Sequence, residues 1–146
     1  IPVVVAAGDD RDKRRLPWPA CLPGVISVGA TNDSDHVSPA SNSSRQLTLL
    51  APGIRVLGPT RSFRLLASLP FFGLEYRDGD YSGTFAAAAH VTGAIALYKQ
   101  KNPRATPAEI RNRLRSTGIA TTDTANNRKT PRPRVHRLPN AGFPSD

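Results

Sequence analysis

The sequence predicts an α/β domain, and two observations lead to that prediction. Residues 2–7 are a short, continuous apolar run and residues 25–30 are a second apolar run, and such runs are typical of strands covered on both faces, as in a parallel sheet. Two helix signals follow one another within residues 84–118. Strands joined by crossovers and then followed by helices predict an α/β domain with a parallel sheet, a buried helix and a flanking helix.

Strands and loops alternate through the first half of the chain. Each of the apolar runs is followed by a polar segment, "DDRDKRRLPWP" or "TNDSDHVSPASNSSR", which is predicted to be a loop. Two shorter strands, "LTLLAPG" and "IRVLGP", are separated by a turn at Pro52 and Gly53. Residues 59–80 are predicted to be irregular, with a hairpin as the alternative.

The helices are the clearest local signals. Residues 84–101 contain no proline, are rich in alanine and are apolar almost all round, which predicts a buried helix. In the segment "TPAE", Thr106 is placed as the N-cap of the second helix and Glu109 as its capping-box partner. Gly118 is predicted to end that helix. Its inner face is predicted to consist of Ile110 and Leu114.

Composition limits the classes of partner and site. The net charge of +9 is interpreted as a solvated basic surface, because no basic stripe interleaved with aromatic residues is present to predict nucleic-acid binding. No apolar run approaches the roughly 18 residues of a membrane helix, so no membrane partner is expected. Cys21 is the one cysteine, which excludes an internal disulfide framework and a cysteine metal cluster. Residues 119–146 are basic and rich in proline, and are predicted to be an extended or disordered tail.

Five segments occur in an order that points to one family. They are "VVVAAGDD", "PACLPGVISVGAT", "LLAPG" and "SGTFAAAAHVTGAIAL" with "NPRATPAEIRNRL". Together they resemble the C-terminal half of the catalytic domain of a subtilisin-like serine protease, a subtilase of peptidase family S8. The resemblance assigns residues 1–118 to that domain and implies a subtilisin-like α/β fold, here a partial parallel sheet with a buried central helix and a flanking helix. It also implies hydrolysis of peptide bonds in polypeptide substrates, and a secreted location.

The position of the catalytic serine is the main departure from the family pattern. In the family, Gly-Thr is followed by the nucleophilic serine, whereas here the next residue is Phe85. An ungapped alignment puts Phe85 at the nucleophile, and a gapped alternative puts it at the large residue that normally follows. Neither supplies a serine, and phenylalanine has no nucleophilic atom. The motif positions that do match, and that are interpreted as structural, are Gly83, Thr84, His90 and Gly93.

The oxyanion position is also altered. The family has Ala-Ala-Gly-Asn, whose side-chain amide donates to the developing oxyanion, and this chain has Asp9 in place of the asparagine. An ionised carboxylate only accepts hydrogen bonds and repels an oxyanion. By resemblance, Asp10 would favour a basic residue before the cleaved bond. The strand residues that would line one wall of the first specificity pocket are Ala6, Ala7 and Gly8.

The remaining expectations also come from the resemblance. The Asp and His motifs of the triad are not found in this sequence, so we expect a fragment that is inactive as this chain and pairs with an N-terminal half. The alternative is a non-catalytic pseudoprotease or protein-interaction module. His90 is expected to be a hydrogen-bonded core residue. No organic cofactor is expected. A structural cation such as calcium would be held by the backbone carbonyls of Ala20, Leu22 and Val25.

Overall fold

A parallel sheet forms the centre of the fold. The computed structural model describes residues 1–64 and 73–133. Its first three strands are β1 (Val4–Ala6), β2 (Ile26–Thr31) and β3 (Leu49–Pro52), which pair in parallel in the order β1-β2-β3. Strand β2 is the middle strand and is buried along its whole length, which fits a sequence with few polar residues. The predicted parallel sheet is therefore confirmed.

An antiparallel hairpin leads from the sheet to the helices. Strand β4 (Val56–Arg64) pairs with β5 (Gly73–Tyr81) in register from Val56 opposite Tyr81. The prediction that residues 59–80 are irregular is wrong for the described part of this segment, and the hairpin alternative is confirmed. Residues 65–72 of that segment lie outside the described residues.

Two helices follow the hairpin. Helix α1 (Thr84–Lys101) begins and ends at the residues predicted for it, and α2 (Pro107–Thr117) follows after a short connection. At the start of α2, the Thr106 side chain accepts a hydrogen bond from the Glu109 N–H, and the Glu109 carboxylate accepts one from the Thr106 N–H. The predicted capping box is therefore present.

The main core lies between α1, α2 and one face of the sheet. It brings together the inner side of both helices and alternate residues of β2 and β3, because neighbouring strand residues point to opposite faces. The buried members of this cluster are Ile26, Val28, Ala30, Leu49, Ala51, Ala87, Val91, Ala94, Ile95, Ile110 and Leu114. A smaller cluster on the other face contains Ala7, Leu16, Ala20, Leu47 and Leu50.

Helix α1 is buried on only one side. Its inner residues pack on the sheet, whereas Phe85, Ala89, His90 and Gly93 on its other side are exposed. The prediction of a helix buried all round is therefore wrong for this chain. The physical reason is that no layer of the described residues covers the outer face, although that face is as apolar as the inner one.

The C-terminal segment folds back onto the body of the protein. Strand β6 (Ile119–Asp123) pairs with β7 (Arg128–Arg132) in an antiparallel hairpin, and Asp123 and Thr130 are buried. Residues 119–133, which the sequence placed in an extended or disordered tail, are extended here as paired strands. The rest of that tail, 134–146, lies outside the described residues. Within the described part of the chain, the helices are too short or too polar to cross a membrane.

Candidate active site

The candidate site lies where strand β1 ends and helix α1 begins. The chain turns at Gly8, whose φ of 92° is in the left-handed region that favours glycine. The Gly8 N–H donates to Thr84 Oγ1 over 3.0 Å. The Thr84 hydroxyl in turn donates to Asp9 Oδ2 over 3.1 Å, and the Thr84 N–H lies 3.1 Å from each oxygen of the same carboxylate. Thr84 is 1% exposed, whereas Asp9 is exposed, so the contact lies at the edge of the core.

Asp9 therefore acts as the cap of helix α1. The residue at the N-cap position is Gly83, which has no side chain to satisfy the first N–H groups of the helix. The positive end of the helix dipole and these N–H groups attract an anion. Here the anion is the protein's own carboxylate, supplied from 75 residues earlier in the chain.

Phe85 lies beside this contact and points away from the core. Its side chain is 53% exposed and meets Tyr81 edge to face, with 6.2 Å between the ring centroids. A Cβ added at Gly83 would lie 2.8 Å from the Phe85 ring and 3.0 Å from the Asp9 carboxylate. Glycine is thus required at this position by space as well as by its φ of 151°.

The neighbouring hydroxyl groups are already engaged. Ser82 is exposed, and its Oγ accepts a hydrogen bond of 2.9 Å from the Arg55 N–H. The Thr84 hydroxyl is held between Gly8 and Asp9, as described above. Neither hydroxyl is hydrogen-bonded to a histidine within the described residues, as an activated nucleophile would be.

His90 is not the core residue that the sequence predicted. It lies on the outer face of α1 and is exposed, so the expectation of a buried histidine is wrong. Its Nδ1 lies 3.1 Å from the Ala86 carbonyl one turn earlier, which gives it a local hydrogen bond. The reason is the same as for the rest of this helix face, which the described residues leave uncovered.

An apolar groove runs along this outer face. It has a volume of about 630 Å³ and lies between α1 and the β4–β5 hairpin. Gly93 has no atom within 4 Å of where a Cβ would lie, so the floor of the groove is open at that point. The side chains that give the groove its character are Leu57, Tyr81, Phe85, Ala89, His90 and Leu97.

A buried asparagine shapes the loop that follows β1, and sequence reasoning missed it. Asn42 is 1% exposed. Its Oδ1 accepts from the N–H groups of Asp10 (3.1 Å) and Asp12 (2.8 Å), and its Nδ2 donates to the Ala7 carbonyl and to Asp10 Oδ2, both at 3.0 Å. Every hydrogen-bonding position of the amide is used. The available signal is the polar run around it, which by itself predicts only a loop.

The residues predicted to contact substrate lie at the end of β1, and those predicted to bind a cation lie in the loop before β2. Ala7 is fully buried, whereas Ala6 and Gly8 are half-buried and Asp10 is exposed at the strand end. In the loop before β2, Ala20 is buried and Leu22 is exposed, and its turn is closed by N–H bonds from Cys21 to Pro17 and from Leu22 to Pro19. The described residues contain no cluster of three or more His, Cys, Asp or Glu side chains that could hold a metal.

Comparison with known proteins gives a consistent result. The sequence profile of the Subtilase family matches residues 1–137. Subtilisin E of Bacillus subtilis (strain 168) is 36% identical over 120 residues, covering 80% of this chain and 28% of that protein. Proprotein convertase subtilisin/kexin type 9 of Rattus norvegicus is 37% identical over 116 residues, covering 77% of this chain and 15% of that protein.

Solved structures show the same relationship. A protease from Pseudoalteromonas arctica superposes with a TM-score of 0.78 at 29% identity, covering 96% of this chain and 41% of that one. A cold-adapted subtilisin-like serine proteinase gives a TM-score of 0.66 at 28% identity, covering 89% and 42%. The chain thus spans less than half the length of these relatives.

Proposed function

Because the chain belongs to the subtilase family of serine peptidases, we propose that it is a subtilase segment that has lost the acyl-transfer reaction. Peptide-bond hydrolysis is the activity of the family, and polypeptides are its substrates. In this proposal the segment keeps the packing of the family fold and the strand end that faces the polypeptide. The residues at the reaction centre instead form a structural contact, in which Thr84 donates to Asp9.

The observation that carries the proposal is the hydrogen bonding around Asp9. Its carboxylate accepts from both the N–H and the hydroxyl of Thr84, the donors that lie closest to it at the start of α1. A tetrahedral oxyanion at this place would meet a negative charge instead of a donor. For a subtilisin, removal of one oxyanion donor costs about 2.7–4 kcal/mol, a value measured on a relative and not worked out from this structure.

Phe85 supports the same conclusion. Its ring carries no atom that can attack a carbonyl carbon, so a covalent acyl intermediate cannot form at this position. The hydroxyls of Ser82 and Thr84 are hydrogen-bonded to other groups, which argues against a substitute nucleophile. Phe85, Ser82 and Thr84 all belong to this segment, so their chemistry is the same whatever sequence lies beside it in a longer protein.

A labelling experiment tests the proposal. The chain of residues 1–146 would be treated with a serine-directed fluorophosphonate probe, with an active subtilisin as the positive control. We expect no labelling of this chain. Labelling that disappears in Ser82→Ala or Thr84→Val would refute the proposal, because it would identify an activated hydroxyl.

A second candidate function, as a protein-interaction module, is favoured by the groove on α1. An apolar helix face with a small residue at its centre suits close approach of another backbone. We propose that the occupant is an N-terminal part of a subtilase domain, either from the same protein or as a separate polypeptide. The open space at Gly93 supports this proposal, since a glycine inside a helix is otherwise unfavourable.

Binding to a separately produced N-terminal half of a related subtilase tests the second function. Gly93→Leu, which would fill the groove, should weaken binding by at least about tenfold relative to the natural chain. The matched control is Thr92→Leu, which adds bulk at the exposed residue next to Gly93. Equal binding by the two variants would show that the groove is not the docking surface.

The cation site is likewise a proposal. We propose that the carbonyls of Ala20, Leu22 and Val25 bind calcium, since neutral backbone oxygens in a closed turn suit a hard cation. Calcium should then raise the thermal transition above that seen with sodium chloride at equal ionic strength. An equal transition in the two salts would contradict it.

A further inference from the structure

Two residues of the C-terminal hairpin, Asp123 and Asn126, contact Lys13, which follows Asp9 and Asp10 of the candidate site in the chain. Asn126 Nδ2 donates to the Lys13 carbonyl over 3.2 Å, and the Lys13 ammonium lies 3.3 Å from Asp123 Oδ2. Lys13 is therefore held by both its main chain and its side chain. The residues that hold it are more than a hundred positions later in the sequence.

The contact is buried and its polar groups are well paired. Asp123 is 5% exposed, and its carboxylate also accepts from Ser43 Oγ (2.7 Å) and from the Ala125 N–H (3.0 Å). The Lys13 ammonium donates to the Ser41 carbonyl over 2.7 Å. Burial alone would raise the pKa of Asp123, but its hydrogen bonds and the Lys13 charge outweigh burial and lower it. The carboxylate is consequently held in its charged form.

The contacts of the hairpin also extend, through Ser43 and Asn42, to the loop that carries Asp9 and Asp10. Ser43 donates its N–H to the Asp12 carbonyl and accepts a 2.7 Å hydrogen bond from Asn126. The residue before it is the buried Asn42, whose amide holds the N–H groups of Asp10 and Asp12. Asn126 in the hairpin turn thus contacts both Ser43, which follows the supporting residue Asn42, and Lys13, at the end of the loop that Asn42 supports.

The loop needs outside support to keep its shape. Arg11 has a φ of 63°, a left-handed conformation that is uncommon for residues other than glycine. A Cβ at Gly8 would lie 2.6 Å from Asn42 Nδ2, so the loop and its support are closely fitted. Such a conformation persists when surrounding contacts impose it.

We propose that Asp123 and Asn126 are positioning residues for the candidate site. Through Lys13 and Ser43 they fix the shape of residues 9–13, and so place the carboxylates of Asp9 and Asp10. The C-terminal hairpin is then part of the support of the substrate-facing loop. This positioning is independent of whether the segment retains catalysis, because it concerns the loop itself.

Amide hydrogen exchange in residues 1–146, followed residue by residue by NMR, tests the proposal. In Asp123→Asn, the N–H groups of Asp10 and Asp12 should exchange at least about tenfold faster, because hydrogen bonds to a charged group are lost at the far end of the support. The N–H groups of Val91 and Ile95 in α1 should accelerate by a smaller factor, because they respond only to the loss of global stability. Unchanged rates at Asp10 and Asp12 would overturn the proposal. An equal increase in α1 would also overturn it, since only global stability would then have changed.

Two further variants separate positioning from general damage. Lys13→Met combined with Asp123→Asn should accelerate the loop N–H groups by less than the product of the two single effects, because the two residues share one ion pair although Lys13 also donates to the Ser41 carbonyl. Asn126→Ala, a milder change, should accelerate them by about two- to tenfold. The control is Asp33→Asn, which breaks an exposed ion pair with Arg55 and should leave the loop unchanged. Additive effects in the double variant, or faster exchange in the control, would count against the proposal.

Discussion

Replacing Gly93 with alanine should stabilise the isolated chain. Gly93 lies inside α1 on its exposed face, and an added Cβ would have no atom within 4 Å. The substitution therefore causes no clash and no change in packing, which leaves the helix propensity difference of about 0.8–1.0 kcal/mol in favour of alanine. For a chain near this size, that corresponds to a rise of about 2–4 °C in the thermal midpoint.

The matched comparison is Gly53→Ala. A Cβ at Gly53 would lie 2.7 Å from the Gly83 carbonyl oxygen and 2.8 Å from Ala30 Cβ, so this change should lower the free energy of unfolding by about 1–3 kcal/mol. Both variants would be measured by thermal unfolding followed by circular dichroism. A lower midpoint for Gly93→Ala would refute the reasoning, because it would mean that another part of the chain covers the outer face of α1.

Three further predictions concern the site, its support and the core. Asp9→Ala, which removes the cap on Thr84, should lower the free energy of unfolding by about 0.5–2 kcal/mol in urea, and Asp9→Asn should cost less because an acceptor remains. The lowered pKa of Asp123 means that its stabilisation is complete above the unfolded value near 3.8 and is lost as pH falls through the lower folded value. Asp123→Asn should therefore flatten the acid limb of a plot of urea midpoint against pH. Leu114→Ala, at a position 1% exposed, should cost about 2–5 kcal/mol in thermal unfolding.

The parts of the fold with strong local signals were predictable from sequence. The bounds of α1 follow from its alanine-rich sequence without proline, and the start of α2 follows from the capping box of Thr106 and Glu109. The hairpin of β6 and β7 was missed because Pro131 and the basic residues around it are untypical of a strand. The available signal was Asn127, which adopts a left-handed φ of 54° in the turn, as asparagine often does.

For the candidate site, the sequence predicts which residues matter but not the hydrogen bonds between them. Asp9 and Phe85 were identified from sequence, but the hydrogen bonds from Thr84 to Asp9 join residues 75 apart and depend on the packing of α1 on the sheet. Asn42 lies in a run of serine and asparagine that is typical of an exposed loop. It is buried because its amide replaces water for four polar groups of the neighbouring loop, an arrangement that no local pattern encodes.

Asp9 and Phe85, the two departures from the family pattern at the candidate site, are compatible with a stable fold, which the proposed loss of the reaction requires. Phe85 points into the groove and displaces nothing in the core, while Asp9 gains hydrogen bonds from the start of α1 that satisfy otherwise unpaired donors. A catalytic site must keep such donors available for the transition state, at a cost in stability. Filling them with a carboxylate removes that cost. The packing that identifies the family is spread over many buried residues, whereas the reaction depends on a few, so the two can be lost separately.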